Sequence, residues 1–225
     1  MARSPSSTRL AELVEAGARV FTEKGYRRTL MGDVARAAGV SAGSLYTYVE
    51  GKEALFHLLF DNESLANRAL PVPTPAPGET LDLVRKRLAS AGTLSRLGAA
   101  LRSIEVEDVR SELAAIIEER YAFQARNWRL FALIERSAVD LPELKDLYFT
   151  QGRRKVNSSM ARYLDRRMSG GHMRKLGDPV LAARIIEEAI TWFSWHRRDD
   201  PDTAKIDDSR AIASLVETFS AALVP

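Results

Sequence analysis

The chain has 225 residues, of which 45% are hydrophobic and 28% are charged, so it can bury a core and is not a disordered polymer. It contains no cysteine, which excludes disulfides, thiolate zinc sites and cysteine nucleophiles. The net charge is only +3 and does not by itself indicate a partner. No apolar run approaches the roughly 18 residues of a membrane span. Residues 1–8 lack the apolar segment of a secretory signal, so we expect a cytoplasmic protein.

Apolar residues recur at spacings of three and four along most of the chain, which predicts an all-α fold of about nine helices. Glycine, proline and polar clusters mark the expected helix ends. Residues 71–78, called here the proline segment, contain alternating prolines that forbid a helix, and they are expected to form a stiff joint or a surface loop. The expected helices are 8–24, 29–38, 42–49, 52–69, 81–102, 109–125, 127–138, 142–169, 179–198 and 207–223.

Residues 29–52 carry the strongest motif, two short helices joined by a glycine-containing turn, which is the shape of a helix-turn-helix. Val34 and Ala35 give the first helix a buried side, and Gly39 suits a turn position with positive φ. Ser41 is expected to cap the second helix, whose free N–H groups favour phosphate. The outward residues are small or carry hydroxyls, which suits a DNA major groove about 12 Å wide: Ala42, Gly43, Ser44, Tyr46, Thr47 and Tyr48.

The run Gly43-Ser44-Leu45-Tyr46-Thr47-Tyr48-Val49, followed by Gly51-Lys52-Glu53-Ala54-Leu55, resembles the signature of the TetR (tetracycline-repressor-like) family of bacterial transcriptional regulators. The resemblance covers about residues 8–60, and the remainder is similar in length and helix order. It implies a helix-turn-helix domain over residues 1–60 and a ligand-binding and dimerisation domain over residues 61–225. It further implies a homodimeric regulator, most often a repressor, which binds a palindromic DNA operator and is released by a small-molecule effector.

Thr29 has the residue type and position of an N-cap for the first motif helix. By the same resemblance, Thr29 is expected to contact phosphate, as is Lys52, which opens the helix after the two motif helices. Tyr46 and Tyr48 are expected to contact the DNA backbone and bases. Ser44 matches a hydroxyl position that serves either role.

Two positions depart from the family pattern, because Ala42 and Thr47 stand where long polar side chains are common. Neither residue can make a bidentate contact with guanine or adenine. We therefore expect modest direct readout, limited mainly to thymine-methyl and hydroxyl contacts, with additional discrimination from DNA shape.

Aromatic and polar residues cluster on adjoining helices in the second half of the chain, and two interpretations are open. They form either an ordinary core or an effector cavity, since such cavities lie between helices and are lined by aromatic groups with a few polar ones. The candidate effector-binding residues are Tyr121, Gln124, Trp128, Phe131, Glu135 and Tyr148.

The helix expected at residues 179–198 is apolar on more than one face, so it has to be buried on more than one side. Either its own subunit has a thick core, or a second subunit packs against it in a two-fold four-helix bundle. The candidate dimer-interface residues are Ile185, Ala189, Trp192, Leu215 and Phe219.

Other functions are disfavoured by the sequence. It has no Walker-type glycine loop or H-E-x-x-H motif, so we do not expect an enzyme, and no cofactor or metal is expected. The adjacent carboxylate pairs Glu118-Glu119 and Glu187-Glu188 are expected to be exposed. A DNA-binding protein that takes no ligand, and an ordinary helical hairpin at residues 29–52, are the remaining alternatives.

The expected mechanism of release follows from the helix at residues 52–69, which joins the two predicted domains. An effector that shifts this helix changes the separation of the two recognition helices. It does so only by binding the DNA-incompetent arrangement more tightly than the competent one.

Overall fold

The structure, a computed structural model, describes residues 7–61, 65, 68–90 and 94–225. Within these residues the fold is all-α, which confirms the predicted class, and β pairing is limited to one bridge between Val49 and Val72. We number eleven helices in chain order: α1 (Ser7–Lys24), α2 (Met31–Ala37), α3 (Ala42–Tyr46), α4 (Lys52–Leu58), α5 (Glu79–Ser90), α6 (Ser95–Arg102), α7 (Val109–Arg126), α8 (Trp128–Ala138), α9 (Pro142–Lys145, the π-helical Asp146–Arg153 and Arg154–Ser169), α10 (Pro179–Ser194) and α11 (Asp208–Leu223).

The chain packs as two compact units. The first comprises the described residues up to Ser90 together with Arg129–Tyr148, and the second comprises those from Leu94 to Trp128 together with Phe149–Pro225. The predicted functional boundary between residues 60 and 61 stays a prediction. No described helix is both long and apolar enough to cross a membrane.

Helix α1 organises the core of the first unit. Its apolar residues recur every three or four positions, and Leu10, Leu13 and Phe21 are fully buried. The helix ends at Lys24, where Gly25 takes a φ of 83° and donates its N–H to the Phe21 carbonyl at 2.9 Å. The same unit holds an aromatic cluster whose ring centroids lie 4.8 to 6.0 Å apart, formed by Phe21, Tyr26, Phe56 and Phe60.

Several predicted helices are shorter in the structure. The helix expected at 52–69 ends at Leu58 as α4, and the span 81–102 forms two helices, α5 and α6. Predicted helical residues 62–64, 66, 67 and 91–93 lie outside the described part of the chain. Helix α3 ends at Tyr46, three residues early, because Val49 pairs with the proline segment. Helix α10 ends at Ser194 and a 3-10 turn, His196–Asp199, follows it.

A buried arginine joins three helices of the second unit. Arg167 of α9 is 1% exposed, and its guanidinium donates two hydrogen bonds of 2.8 Å to the Glu112 carboxylate of α7. It also donates to the Ala100 carbonyl of α6 at 2.9 Å. A bidentate pair with a further carbonyl acceptor satisfies most of the guanidinium donors, so this charge is accommodated within an apolar core.

Candidate DNA-binding surface and effector region

The turn between α2 and α3 has helix-turn-helix geometry. Gly39 takes a φ of 66°, and the Val40 N–H donates to the Ala35 carbonyl at 2.9 Å. Val34, Ala35 and Leu45 are buried, each with at most 2% of its surface exposed. The two short helices are therefore held together by their inner residues, and the outer side of α3 faces solvent.

The outer side of α3 presents small and hydroxyl-bearing side chains. Ser41 caps the helix as predicted, because its Oγ accepts the Ser44 N–H at 3.1 Å. Tyr46 is 48% exposed, and Tyr48 is half-buried. The predicted DNA-contacting residues that lie exposed here are Ser41, Ala42, Gly43, Ser44, Tyr46 and Thr47.

Thr29 does not have the position predicted for it. Helix α2 begins one residue later than expected, with Leu30 as N-cap, and the Leu30 N–H donates to the Asp33 carboxylate at 3.3 Å. Thr29 is fully buried, and its hydroxyl donates to the Gly25 carbonyl at 2.7 Å. The Thr29 hydroxyl is therefore unavailable to a DNA phosphate, which corrects both its predicted capping and its predicted contact.

Lys52 also has a different environment from the one predicted. Its ammonium nitrogen lies 3.1, 3.4 and 3.2 Å from the carbonyl oxygens of Tyr26, Arg27 and Thr29. It also lies 4.7 Å from the centroid of the Tyr26 ring. An ammonium group has three N–H donors, and three acceptors surround this one. Lys52 thus fixes the loop between α1 and α2, and its predicted contact with a DNA phosphate stays a prediction.

The proline segment is attached to the residues that follow α3. The Val72 N–H donates to the Tyr48 carbonyl at 2.8 Å, and the Glu50 N–H donates to the Val72 carbonyl at 3.0 Å. The Glu50 carboxylate accepts the Thr74 N–H at 2.8 Å. The sequence predicts a stiff joint or a surface loop but not these hydrogen bonds, since the partners lie more than twenty residues away.

Of the candidate effector residues in the second unit, Tyr121 is the most strongly bonded. It is 1% exposed, and its hydroxyl lies 2.8 Å from both the Asp208 carboxylate and the Phe193 carbonyl. Burial, with the Asp208 carboxylate beside the hydroxyl, raises the pKa of Tyr121 to about 12. The hydroxyl therefore stays protonated and acts as a donor.

Gln124 and Trp128 complete the predicted effector residues of this unit. Gln124 is 3% exposed, and its side-chain oxygen accepts the Ser194 hydroxyl at 3.3 Å. Its amide nitrogen has no hydrogen-bond partner within the described residues. Trp128 is half-buried, with the Arg198 guanidinium 5.4 Å from its ring centroid.

The other three candidates form one cluster in the first unit. The rings of Phe131 and Tyr148 are buried with centroids 6.0 Å apart. The Tyr148 hydroxyl donates to the Glu135 carboxylate at 3.0 Å. The six predicted residues are thus divided between the two compact units.

A polar line buried between α7 and α10 was not predicted from the sequence. Arg120 donates to the Glu187 carboxylate at 2.8 Å, and Gln124, one turn further along α7, pairs with Ser194 of α10. Glu187 is 4% exposed, which corrects the expectation that it lies on the surface. One of its carboxylate oxygens has no hydrogen-bond partner among the described residues. The available signal was spacing, since Glu187, Thr191 and Ser194 recur at intervals of four and three.

The candidate dimer residues fall into two groups. Ile185 and Trp192 are 55% and 45% exposed on α10, with Ala189 half-buried between them. Phe219 is half-buried against the core of the second unit. Leu215 is 5% exposed and belongs to that core, which corrects its predicted place in the interface because it packs within its own subunit.

Comparisons with known proteins agree with these features. Residues 13–59 match the profile of the bacterial regulatory proteins of the TetR family, and residues 110–223 match the C-terminal domain of AefR-like transcriptional repressors. The HTH-type transcriptional repressor KstR2 of Rhodococcus jostii (strain RHA1) is 42% identical over 196 residues, covering 84% of this chain and 82% of the relative.

Solved structures of similar fold cover nearly the whole chain. The TetR family regulator PfmR of Thermus thermophilus aligns with a TM-score of 0.53 at 22% identity, over 92% of this chain and 91% of its own. AibR, in a complex with isovaleryl coenzyme A and operator DNA, aligns with a TM-score of 0.54 at 17% identity, over 93% of this chain and 97% of its own. At these identities the likeness shows the fold alone.

The helix-turn-helix and its exposed second helix, joined to a larger helical region, define a DNA-binding regulator of transcription. The chain belongs to the TetR family, whose members are regulators and not enzymes. This confirms the resemblance predicted from residues 8–60.

Proposed function

We propose that the chain is a homodimeric repressor that binds a palindromic operator through α3 and releases it when an effector binds. The observation that carries the DNA contact is the exposed outer side of α3, which presents Ser44, Tyr46 and Thr47. The Thr47 hydroxyl donates to the Ser44 carbonyl at 2.7 Å and the Ser44 hydroxyl lies 2.9 Å from that of Ser41, so both oxygens keep a free lone pair towards a partner. In a symmetric dimer the two α3 helices enter successive major grooves roughly 34–36 Å apart. Tyr48, being half-buried, is assigned a backbone contact.

The proposal of a dimer is supported by the exposed side of α10. Leu181, Ile185 and Trp192 expose 57%, 55% and 45% of their surface, at spacings that place them along one side of the helix. These apolar residues flank the half-exposed Glu188 on the same side, and an exposed apolar stripe of this kind favours burial against a partner. In an isologous interface the same stripe meets its copy, and the half-buried Ala189 of α10 and Phe219 of α11 are assigned to the same interface.

For the effector we propose an acyl-coenzyme A. AibR, which shares the fold, forms a complex with isovaleryl coenzyme A and operator DNA. Within this chain the Gln124 side-chain amide is buried and its nitrogen lacks a partner among the described residues, so it is a donor suited to a thioester carbonyl. Tyr121 and Trp128 flank it along α7 and at the start of α8.

The experiment that tests the function begins with selection of binding sequences from randomised duplex DNA. A two-fold symmetric consensus is expected, and fluorescence anisotropy should show binding that weakens steeply with salt, because phosphate contacts release counterions. If the selection enriched no particular sequence, the proposed operator binding would be contradicted.

The effector is tested on the selected duplex. Isovaleryl coenzyme A is expected to release the DNA, whereas free coenzyme A should not. The Gln124→Leu variant should bind the operator normally and respond more weakly. An operator complex indifferent to a panel of acyl-coenzyme A esters of different chain length would contradict this effector class and favour a ligand-independent DNA-binding protein.

A further inference from the structure

The first unit contains a pocket of about 250 Å³ that is lined by none of the six predicted effector residues. Its walls come from the loop after α1, from α4, from residues 75–78 of the proline segment, from the start of α5 and from residues 141–144. All of these belong to the same compact unit. The volume suits a molecule of about ten non-hydrogen atoms and is below the 300–1,000 Å³ typical of drug-sized ligands.

The chemistry of the walls selects a particular kind of ligand. Thirteen residues line the pocket and most are apolar, including the buried side chains of Phe56, Val84 and Leu144. Only two of the thirteen are charged, and both are exposed carboxylates, Glu53 and Glu143. This combination is complementary to a positive charge carried on an apolar body.

Aromatic groups add to this preference. The rings of Tyr26 and Phe56 both line the pocket, with centroids 4.8 Å apart, and aromatic faces attract organic cations. The Tyr26 hydroxyl donates to the Glu53 carboxylate at 3.1 Å and so holds it beside the pocket. Burial, with Glu53 nearby, raises the pKa of Tyr26 to about 12, so the phenol remains a neutral donor. Lys52 does not line the pocket. Its ammonium lies 4.7 Å from the centroid of the Tyr26 ring and its donors face main-chain carbonyls, so a ligand cation has the Phe56 ring and the two carboxylates as its principal partners.

One wall of the pocket is connected to the recognition helix. Residues 75–78 form that wall, and the adjoining Val72 and Thr74 are hydrogen-bonded to Tyr48 and Glu50, directly after α3. Alternating prolines make the connecting chain stiff. A displacement of the wall is therefore transmitted to the end of α3 instead of being absorbed by a flexible loop.

We propose that this pocket is a second ligand site, specific for a small organic cation with an apolar body, and that its occupancy alters DNA affinity through the proline segment. The binding itself is independent of the proposed function. The coupling to DNA rests on that function.

The site is tested by isothermal titration calorimetry on the full-length chain, with benzyltrimethylammonium as the probe and phenylacetate as an anion of similar size. Saturable binding of the cation is expected, with phenylacetate at least tenfold weaker. The double variant Glu53→Gln/Glu143→Gln should bind the cation about tenfold more weakly. The matched control Glu23→Gln removes an exposed carboxylate of the same unit that does not line the pocket, and it should bind as the wild type does. No saturable binding, or equal binding by the double variant, would overturn the site.

The coupling is tested by operator anisotropy with and without saturating benzyltrimethylammonium. At least a threefold change in operator Kd is expected for the wild type, and a smaller change for Glu50→Ala, which loses the hydrogen bond to Thr74. An unchanged operator Kd in the wild type would overturn the coupling. A chain that bound no DNA would contradict the proposed function and the coupling together, whereas the calorimetry judges the ligand site by itself.

Discussion

The outer side of α3 and the polar line between α7 and α10 are built in opposite ways. The α3 residues are consecutive, exposed and capped locally by Ser41, so each side chain is available to a partner molecule. The polar line joins residues 67 and 70 positions apart, and its groups are buried against one another. Changes at the first surface should therefore alter binding and leave the fold intact, whereas breaking the Arg120–Glu187 ion pair in the second should alter the fold first.

The largest effect that separates the two regions is expected from Glu187→Leu. This change leaves the Arg120 guanidinium buried without its carboxylate partner. Breaking one side of a buried ion pair costs about 3–5 kcal/mol, so the free energy of unfolding in urea should fall by that amount.

Two control variants identify the cause of this loss. Replacing both partners in Arg120→Leu/Glu187→Leu should restore most of the stability, because no uncompensated charge remains. Glu188→Gln alters the adjacent, half-exposed carboxylate, which pairs with Arg153 and Arg184, and should cost less than about 1 kcal/mol. Equal losses in Glu187→Leu and Glu188→Gln would mean that burial of the pair is not what stabilises this helix contact.

The sequence predicts the locally determined helix-turn-helix better than it predicts residues whose partners are distant in the chain. Helix-turn-helix packing depends on local spacing, so the buried Val34 and Leu45 and the Ser41 cap were all predicted correctly. The contacts that the sequence does not predict are made with distant chain segments. Lys52 is held by carbonyls 23 to 26 residues away, and periodicity does not reveal such acceptors.

Burial on an amphipathic helix raises a related difficulty. Leu215 and Trp192 are both apolar residues in helices that are apolar on several sides, yet one is 5% exposed and the other 45%. Hydrophobicity indicates that a residue prefers to be covered, but only the packing of the other helices shows which face its own subunit covers. The pairing of Arg120 with Glu187 is harder still to predict, because the spacing of Glu187, Thr191 and Ser194 marks a polar side of the helix but does not show which partner covers it.

The second prediction concerns the exposed side of α10, which lies away from the buried Glu187. Trp192→Glu places a charge in the exposed apolar stripe, so it should weaken the proposed dimer at least about 30-fold while the monomer fold remains. Sedimentation equilibrium measures the dimer Kd, and far-ultraviolet circular dichroism checks the helices. The matched control is Leu176→Glu, which changes a 42% exposed leucine outside the stripe and should leave the dimer unaffected. An unchanged dimer in Trp192→Glu would move the interface elsewhere.

The third prediction asks whether Lys52, which lies beside the DNA-binding motif, contributes to stability, as the buried polar line does, or to DNA binding. Lys52→Met keeps most of the side-chain volume but removes the three hydrogen bonds to the loop after α1. Hydrogen bonds made by charged groups are worth about 1.5–3 kcal/mol, and the free energy of unfolding should fall within that range. The salt dependence of operator binding should not change. A slope of log K against log [salt] that became shallower by about 0.9 would instead assign Lys52 a phosphate contact.

The smallest effect is expected at Tyr46, on the exposed side of the comparison. Tyr46→Ala removes a 48% exposed ring, so it should leave the unfolding free energy within about 0.5 kcal/mol of the wild type. Operator binding, measured by anisotropy, should weaken about tenfold, because a tyrosine in an interface contributes both ring contacts and a hydroxyl. Tyr46→Phe separates these contributions and should retain most of the affinity if the ring dominates. Unaltered affinity in Tyr46→Ala would place the DNA contacts away from the outer side of α3, while lost stability would mean that Tyr46 belongs with the buried residues. Either result would mean that Tyr46 does not follow the rule that exposed α3 residues affect DNA binding and buried residues affect stability.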